Sequence, residues 1–170
     1  WAEKEIAELY TLGVVTGRTK DMYCPDENVT RAEFLTLISR GIGIRAAIYQ
    51  GGFDDVKRGD WFADTVAAAM AQGIISKGTH FRPNDPITRE EMAKMICIAT
   101  RLFYREDLLP GYKADYVDVS PDSWSADYIN AADYFELIRG VGNNSFAPLS
   151  NATRAQCAVI IKRAMDLVKN

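Results

Sequence analysis

The chain has 170 residues, with 20 basic and 23 acidic side chains and a net charge of −3. That length can bury a real core, and the near-balanced charge excludes a nucleic-acid interface as the main role, since such domains carry a large basic excess. No run of roughly 18 apolar residues occurs, so nothing here spans a membrane.

Read in chain order, the first pattern opens on Trp1. A predicted helix carries Ile6, Leu9 and Tyr10 on its apolar face and reaches Gly13, where a helix C-cap glycine belongs. The turn Val14-Val15-Thr16-Gly17 leads to Tyr23-Cys24-Pro25, where proline fixes φ and rules out continuing helix. Thr30-Arg31-Ala32-Glu33 then opens a second helix through Phe34, Leu37 and Ile38. Residues 46–52 lose the helical period and read as a linker.

The second pattern begins with a leading segment, Phe53-Asp54-Asp55-Val56, followed by Trp61 and a helix with Val66, Ala69 and Met70. Gly73, the turn Ile74-Ile75-Ser76-Lys77-Gly78, Phe81-Arg82-Pro83 and Thr88-Arg89-Glu90-Glu91 follow, then a helix with Met92, Met95 and Ile96. A second linker is read at 104–115. The third pattern runs from Tyr116-Val117-Asp118-Val119 through Trp124, a helix with Ile129 and Ala132, and Leu137-Ile138-Arg139-Gly140. It continues through Phe146-Ala147-Pro148 and Thr153-Arg154-Ala155-Gln156 to a last helix with Val159, Ile160 and Ile161.

The tryptophan-to-arginine spacing is 30, 28 and 30 residues, so one unit is written three times. Each unit is helix, turn-rich loop, helix, and the copies are placed at 1–45, 53–103 and 116–168. The first lacks its leading segment. The chain also has no initiator Met, and an excised or mature fragment is expected. Such a unit cannot bury its apolar face alone, so the expected fold is mainly α, with the copies either stacked in a line or closed into a pseudo-threefold bundle. Both arrangements leave equivalent grooves between neighbours.

Cys24, Cys97 and Cys157 are odd in number and fall at different positions in their copies, which argues against a disulfide framework. With one histidine, His80, and no CxxC pair, no metal site or cofactor is expected. His80 has no counterpart in the other copies and reads as surface decoration. A nucleophile–base arrangement cannot be built on one histidine, so the chain is not expected to be an enzyme.

The motif Thr-x-x-Glu is a capping box: Thr30, Thr88 and Thr153 accept from the N3 amide, while Glu33, Glu91 and Gln156 reach back to the cap amide. This leaves Arg31, Arg89 and Arg154 to explain, because a cation in a first turn opposes the helix dipole. Two explanations stand. The arginine pairs with an acid such as Asp55 or Asp118, or it faces a groove and binds an anion, with free helix amides adding to the guanidinium. Trp1, Trp61 and Trp124 are either core anchors or flat platforms for a sugar ring. An arginine for a carboxylate and a tryptophan for a ring face together describe an acidic-carbohydrate site.

The combined pattern resembles the S-layer homology domain family. It rests on Phe-x-Asp-Val, the Trp, Gly-Ile-Ile-Ser-x-Gly at 73–78, Phe-x-Pro, and Ile87-Thr88-Arg89-Glu90-Glu91. The resemblance covers nearly the whole chain. It implies three repeats in a three-pronged pseudo-trimer, located extracellularly on the bacterial cell wall. It further implies non-covalent anchoring to secondary cell-wall polysaccharide, typically pyruvylated, with the anchored cargo covalently continuous beyond this chain. The implied binding residues are Arg31, Arg89 and Arg154, Trp61, Trp124 and Trp1, with Thr16, Gly17, Ser76 and Gly78 in the small-residue turns. The expected pairing is Arg31 with Trp61, Arg89 with Trp124, and Arg154 with Trp1. Copy three departs from the pattern at Glu136, Arg139 and Gln156, and copy two inserts Lys77. The alternatives are a peptidoglycan-binding module, or a protein-interaction scaffold anchored through Tyr49, Phe62 and Tyr112.

Overall fold

The computed structural model describes residues 1–102 and 111–169. Among them lie six helices: α1 Glu3–Thr11, α2 Arg31–Ile42, α3 Ala63–Ala71, α4 Arg89–Ala99, α5 Ala126–Tyr134 and α6 Arg154–Lys169. Each copy contributes a short first helix and a longer second one. The first helices lean outward onto the second helix of the preceding copy: α3 on α2, α5 on α4, and α1 on α6. The last of these contacts joins copy one to copy three. Of the two packings the sequence leaves open, the closed pseudo-threefold bundle is the one formed.

Closure is drawn tightest where the second helices begin. Val29 N donates to Ala152 O (3.0 Å), Ala152 N to Ile87 O (3.0 Å), and Ile87 N to Val29 O (2.9 Å), a circuit of three hydrogen bonds. All three residues are buried. Short antiparallel bridges flank it, Asn28 with Thr153, Thr30 with Pro86, and Thr88 with Asn151.

A helix leaves its first amides without partners, and here they lie in buried or half-buried residues, so each needs an acceptor. The neighbouring copy supplies them. Arg31 N and Ala32 N donate to Asp85 O (3.0 Å) and Pro83 O (3.1 Å), Arg89 N and Glu90 N to Ser150 O and Pro148 O (both 3.0 Å). Arg154 N and Ala155 N donate to Glu27 O (2.8 Å) and Pro25 O (2.9 Å). The third amide of each helix goes to the capping threonine, and all three capping boxes form, including the one that uses Gln156. The expectation that free helix amides assist anion binding is therefore overturned, because inter-repeat carbonyls consume them.

The first helices end as their glycines suggest: Gly13 and Gly73 follow the caps at φ 69° and 71°. Glu136 takes the same left-handed conformation in copy three (φ 55°) without the freedom glycine brings. The 46–52 stretch has no helix yet is firmly held. Tyr49 is buried, its amide donates to Asp64 Oδ1 (3.0 Å), and its hydroxyl accepts from Phe53 N (3.0 Å). Of the linker read at 104–115, positions 104–110 lie outside the described residues, and Ala114 N donates to Asn130 Oδ1 (3.0 Å). Cys97 and Cys157 are buried in the core, and Cys24 is half-buried in a loop.

Candidate functional site

The site is built on the loop between the two helices of each copy. The residue before its proline is left-handed in all three copies: Cys24 φ 58°, Arg82 φ 60°, Ala147 φ 56°. A side chain there costs on the order of 1 kcal/mol or more, and the position before proline disfavours helical angles besides. Two partners offset the cost in copies two and three. From the leading segment, Asp55 accepts from the amides of Phe81 (2.8 Å) and Arg82 (2.7 Å), and Asp118 from those of Phe146 and Ala147 (both 2.8 Å). Burial pushes both carboxyls up, but these bonds, with Ser145 added at Asp118, outweigh it and hold both below the ordinary aspartate value.

The second partner is the motif arginine of the preceding copy. Arg31 Nε donates to Phe81 O (2.9 Å), Arg89 Nε to Phe146 O (2.7 Å), and Arg154 Nε to Tyr23 O (2.8 Å). Each guanidinium carbon lies over the ring of the residue whose carbonyl it binds, at 5.2, 4.8 and 4.3 Å from the centroid. Arg89 and Arg154 also give Nη2 to the turn carbonyls of Arg139 (2.8 Å) and Thr16 (2.7 Å). Neither Asp55 nor Asp118 pairs with them. The arginine thus serves a third purpose beyond the two weighed from sequence: its fork matches backbone carbonyls of the next repeat. Arg89 is 4% exposed, and burial pulls both it and Arg31 below the ordinary arginine value.

Arg31 departs from its siblings. In the turn that Lys77 lengthens, the Ser76 carbonyl is not taken. Arg31 Nη1 turns to Glu91 (2.7 Å), which also receives Arg82 (2.5 Å), and Nη2 makes no hydrogen bond among the described residues.

The tryptophans are not core anchors: Trp1, Trp61 and Trp124 are 84%, 64% and 55% exposed. Two cavities of about 280 Å³ each bring arginines and tryptophans together, in pairs other than those expected. One joins Arg31, Ser76 and Trp124; the other joins Arg154, Thr16, Gly17 and Trp61. The correction is geometric. An arginine reaches forward into the next copy's loop, and the tryptophan closing that groove comes from the copy after it, so each groove draws on all three repeats. Neither of these two cavities includes Arg89 or Trp1; Arg139, whose carbonyl Arg89 binds, pairs with Glu136 (2.5 Å). Gly78 lies outside the lining. At Gly17 a side chain would fall 2.3 Å from Thr19 O, so its smallness serves the chain's own turn.

Sequence reasoning missed Lys94. Its Nζ donates to Ser76 Oγ (2.8 Å), lies 5.8 Å from the Trp124 ring centroid, and has no carboxylate partner among the described residues. Burial, then the nearby Arg31, pulls it below the ordinary lysine value. The signal was in the repeat: the same column holds Thr36 and Val159, so Lys94 is the charge that breaks it. His80, read as decoration, is exposed but lines this same cavity. In the other groove Arg18 is neutralised by Glu27 (2.8 Å) and Glu33. The aromatic anchors of the scaffold alternative are mostly out of reach, since Tyr49 and Phe62 are buried and Tyr112 is bonded to Asp133.

The family model for the S-layer homology domain matches residues 1–35, 52–93 and 115–158. Among curated relatives, an amylopullulanase of Thermoanaerobacterium thermosulfurigenes is 40% identical over 95% of this chain and 9% of its own length. The exoglucanase XynX of Acetivibrio thermocellus is 38% identical over all of the chain and 16% of its own length. The surface-layer 125 kDa protein of Lysinibacillus sphaericus is 30% identical over 99% of the chain and 14% of its own. The chain therefore spans less than a fifth of each of these relatives.

Proposed function

Because this chain belongs to the S-layer homology domain family, as three tandem repeats, we propose that it is a non-covalent anchor. It holds a larger protein at the bacterial cell surface by binding acidic, pyruvylated secondary cell-wall polysaccharide. The relatives support a role apart from catalysis: two glycoside-cleaving enzymes and a surface-layer protein share only this segment with it. What aligns across the three is this segment, whatever the rest of each protein does. The cargo joined to this module is part of the proposal.

The observation that carries the ligand class is the groove around Trp124. An exposed ring at Trp124, a hydroxyl at Ser76, the Lys94 ammonium, which has no carboxylate partner among the described residues, and Arg31 line one cavity. A sugar ring lies against Trp124 while its ketal carboxylate takes charge-assisted bonds from Lys94 and Arg31. Arg154 and Arg89 act chiefly by fixing the loops that floor the grooves. The Trp61 groove, with Thr36 where Lys94 stands, takes a second sugar through stacking and hydroxyl contacts, and occupancy of both by one polymer adds avidity.

The test is calorimetric titration with purified wall polysaccharide, before and after mild acid removal of its ketals. Binding should fall on acid treatment. Lys94→Thr, which installs the residue of copy one, should lower affinity about ten- to a hundredfold and flatten the salt dependence. Binding indifferent to ketal removal would assign a neutral glycan or peptidoglycan instead. Binding to neither polymer would leave the scaffold alternative.

A further inference from the structure

The chain has a single histidine, and it stands at a groove. His80 is exposed and lines the Trp124 cavity together with Arg31, Ser76, Arg82, Glu91 and Lys94. The Trp61 cavity has no histidine in its lining. The column of His80 holds Met22 in copy one and Ser145 in copy three, so the imidazole is peculiar to this groove.

In copy three that column meets the aspartate of the leading segment, for Ser145 Oγ donates to Asp118 Oδ2 (2.5 Å). Asp55 is the matching carboxylate in copy two. It is fixed by the amides of Phe81 (2.8 Å) and Arg82 (2.7 Å), and lies near enough to His80 to attract its protonated form. His80 therefore borders both an aspartate and the cavity.

Histidine is the side chain whose charge ordinarily changes between pH 5 and 8, whereas a sugar carboxylate stays ionised across that range. The groups around His80 pull its proton both ways. Arg31, Arg82 and Lys94 oppose a further cation, while Glu91 and Asp55 favour one. Asp54, whose amide donates to Thr79 O (2.8 Å), and Lys77 in the preceding turn flank the same loop. A carboxylate entering the cavity tips this balance toward the imidazolium, and by reciprocity the imidazolium tightens the carboxylate.

We propose that His80 makes the Trp124 groove proton-sensitive, so that it holds an acidic sugar more firmly as pH falls from 7.5 to 5.5. This regulation rests on the wall-binding reading of that groove and adds to it the one lining residue suited to titrate there.

The experiment is calorimetric titration of the whole 170-residue chain with purified pyruvylated wall polysaccharide at pH 7.5, 6.5 and 5.5. Each pH is repeated in buffers of different ionisation enthalpy. Affinity should rise about three- to tenfold across the series, and binding at pH 6.5 should take up a fraction of a proton. His80→Gln should abolish both the rise and the uptake. Trp124→Ala should abolish them too, while Trp61→Ala should keep them, since the Trp61 groove lacks a histidine. Equal affinity at all three pH values overturns the proposal and leaves the wall-binding reading standing. So does a rise that persists in His80→Gln or in Trp124→Ala. Absence of binding at every pH overturns both.

Discussion

Replacing Arg89 with alanine separates a structural arginine from a ligand-facing one. The side chain is almost wholly buried and is the donor found on both Phe146 O and Arg139 O. Truncation strands two carbonyls, each at about 1.5 kcal/mol or more, and removes a ring contact of roughly 0.5–2 kcal/mol. Relief of the buried charge offsets part of this. The expected loss is about 3–5 kcal/mol, a large share of the 5–15 kcal/mol typical of a domain. At this chain length it corresponds to a melting point lower by roughly 6–20 °C. Urea unfolding followed by tryptophan fluorescence and circular dichroism measures it, with an unchanged m confirming that the loss is one of stability. Arg89→Lys should rescue little, since an ammonium cannot reproduce the fork. An Arg89→Ala protein with the parent midpoint and lost glycan binding would refute the reasoning.

Trp124→Ala and Trp61→Ala should each weaken polysaccharide binding about tenfold while leaving the urea midpoint within roughly 0.5 kcal/mol, because both rings are more exposed than not. Acid should unfold the protein through its depressed carboxyls. At Glu91 burial acts upward, but Arg31, the Thr88 amide and Arg82 together hold it down, as the loop amides do for Asp55 and Asp118. Stability from these groups is present above the ordinary carboxylate range and is lost as pH falls through their lowered values, so a pH series should be flat from 7 to about 5 and fall below that. Asp55→Asn should shallow that acid limb. Burial raises the thiols of Cys97 and Cys157, so a maleimide should label Cys24 alone in the native protein and all three in urea.

The repeat was legible because periodic apolar positions, a proline and a capping box are local signals. Phe34, Leu9 and Ile96 had to face a core wherever the copies ended up, and Thr30 had to cap whatever its neighbours were. Closure was not legible, because it depends on whether α1 meets α6, a contact that no local pattern encodes. The role of Arg89 was hidden for the same reason: its partners are the carbonyls of Phe146 and Arg139, and backbone acceptors leave no mark on a sequence. Pairing tryptophans with arginines by adjacency failed because the reach is forward by one copy on one side and backward by one on the other. Lys94 could have been found by comparing the copies with one another, since a lone cation in a column of Thr36 and Val159 marks a difference between grooves rather than a shared framework.

The hydrogen-bond circuit of Val29, Ile87 and Ala152 makes repeat number a discrete quantity. An open array of repeats can gain or shed a unit at its end, since each contacts only its neighbours. Here every unit lends carbonyls to one partner's helix start and borrows them from the other, so deleting a unit opens two debts at once and a fourth has no place to dock. The circuit also sets an order of events. Its last bond joins residues near opposite ends of the chain, so a polypeptide made from the N-terminus cannot complete it until the third copy exists. Until that moment, grooves that draw on all three copies are absent, and a partly made chain lacks the surfaces proposed to bind the polysaccharide.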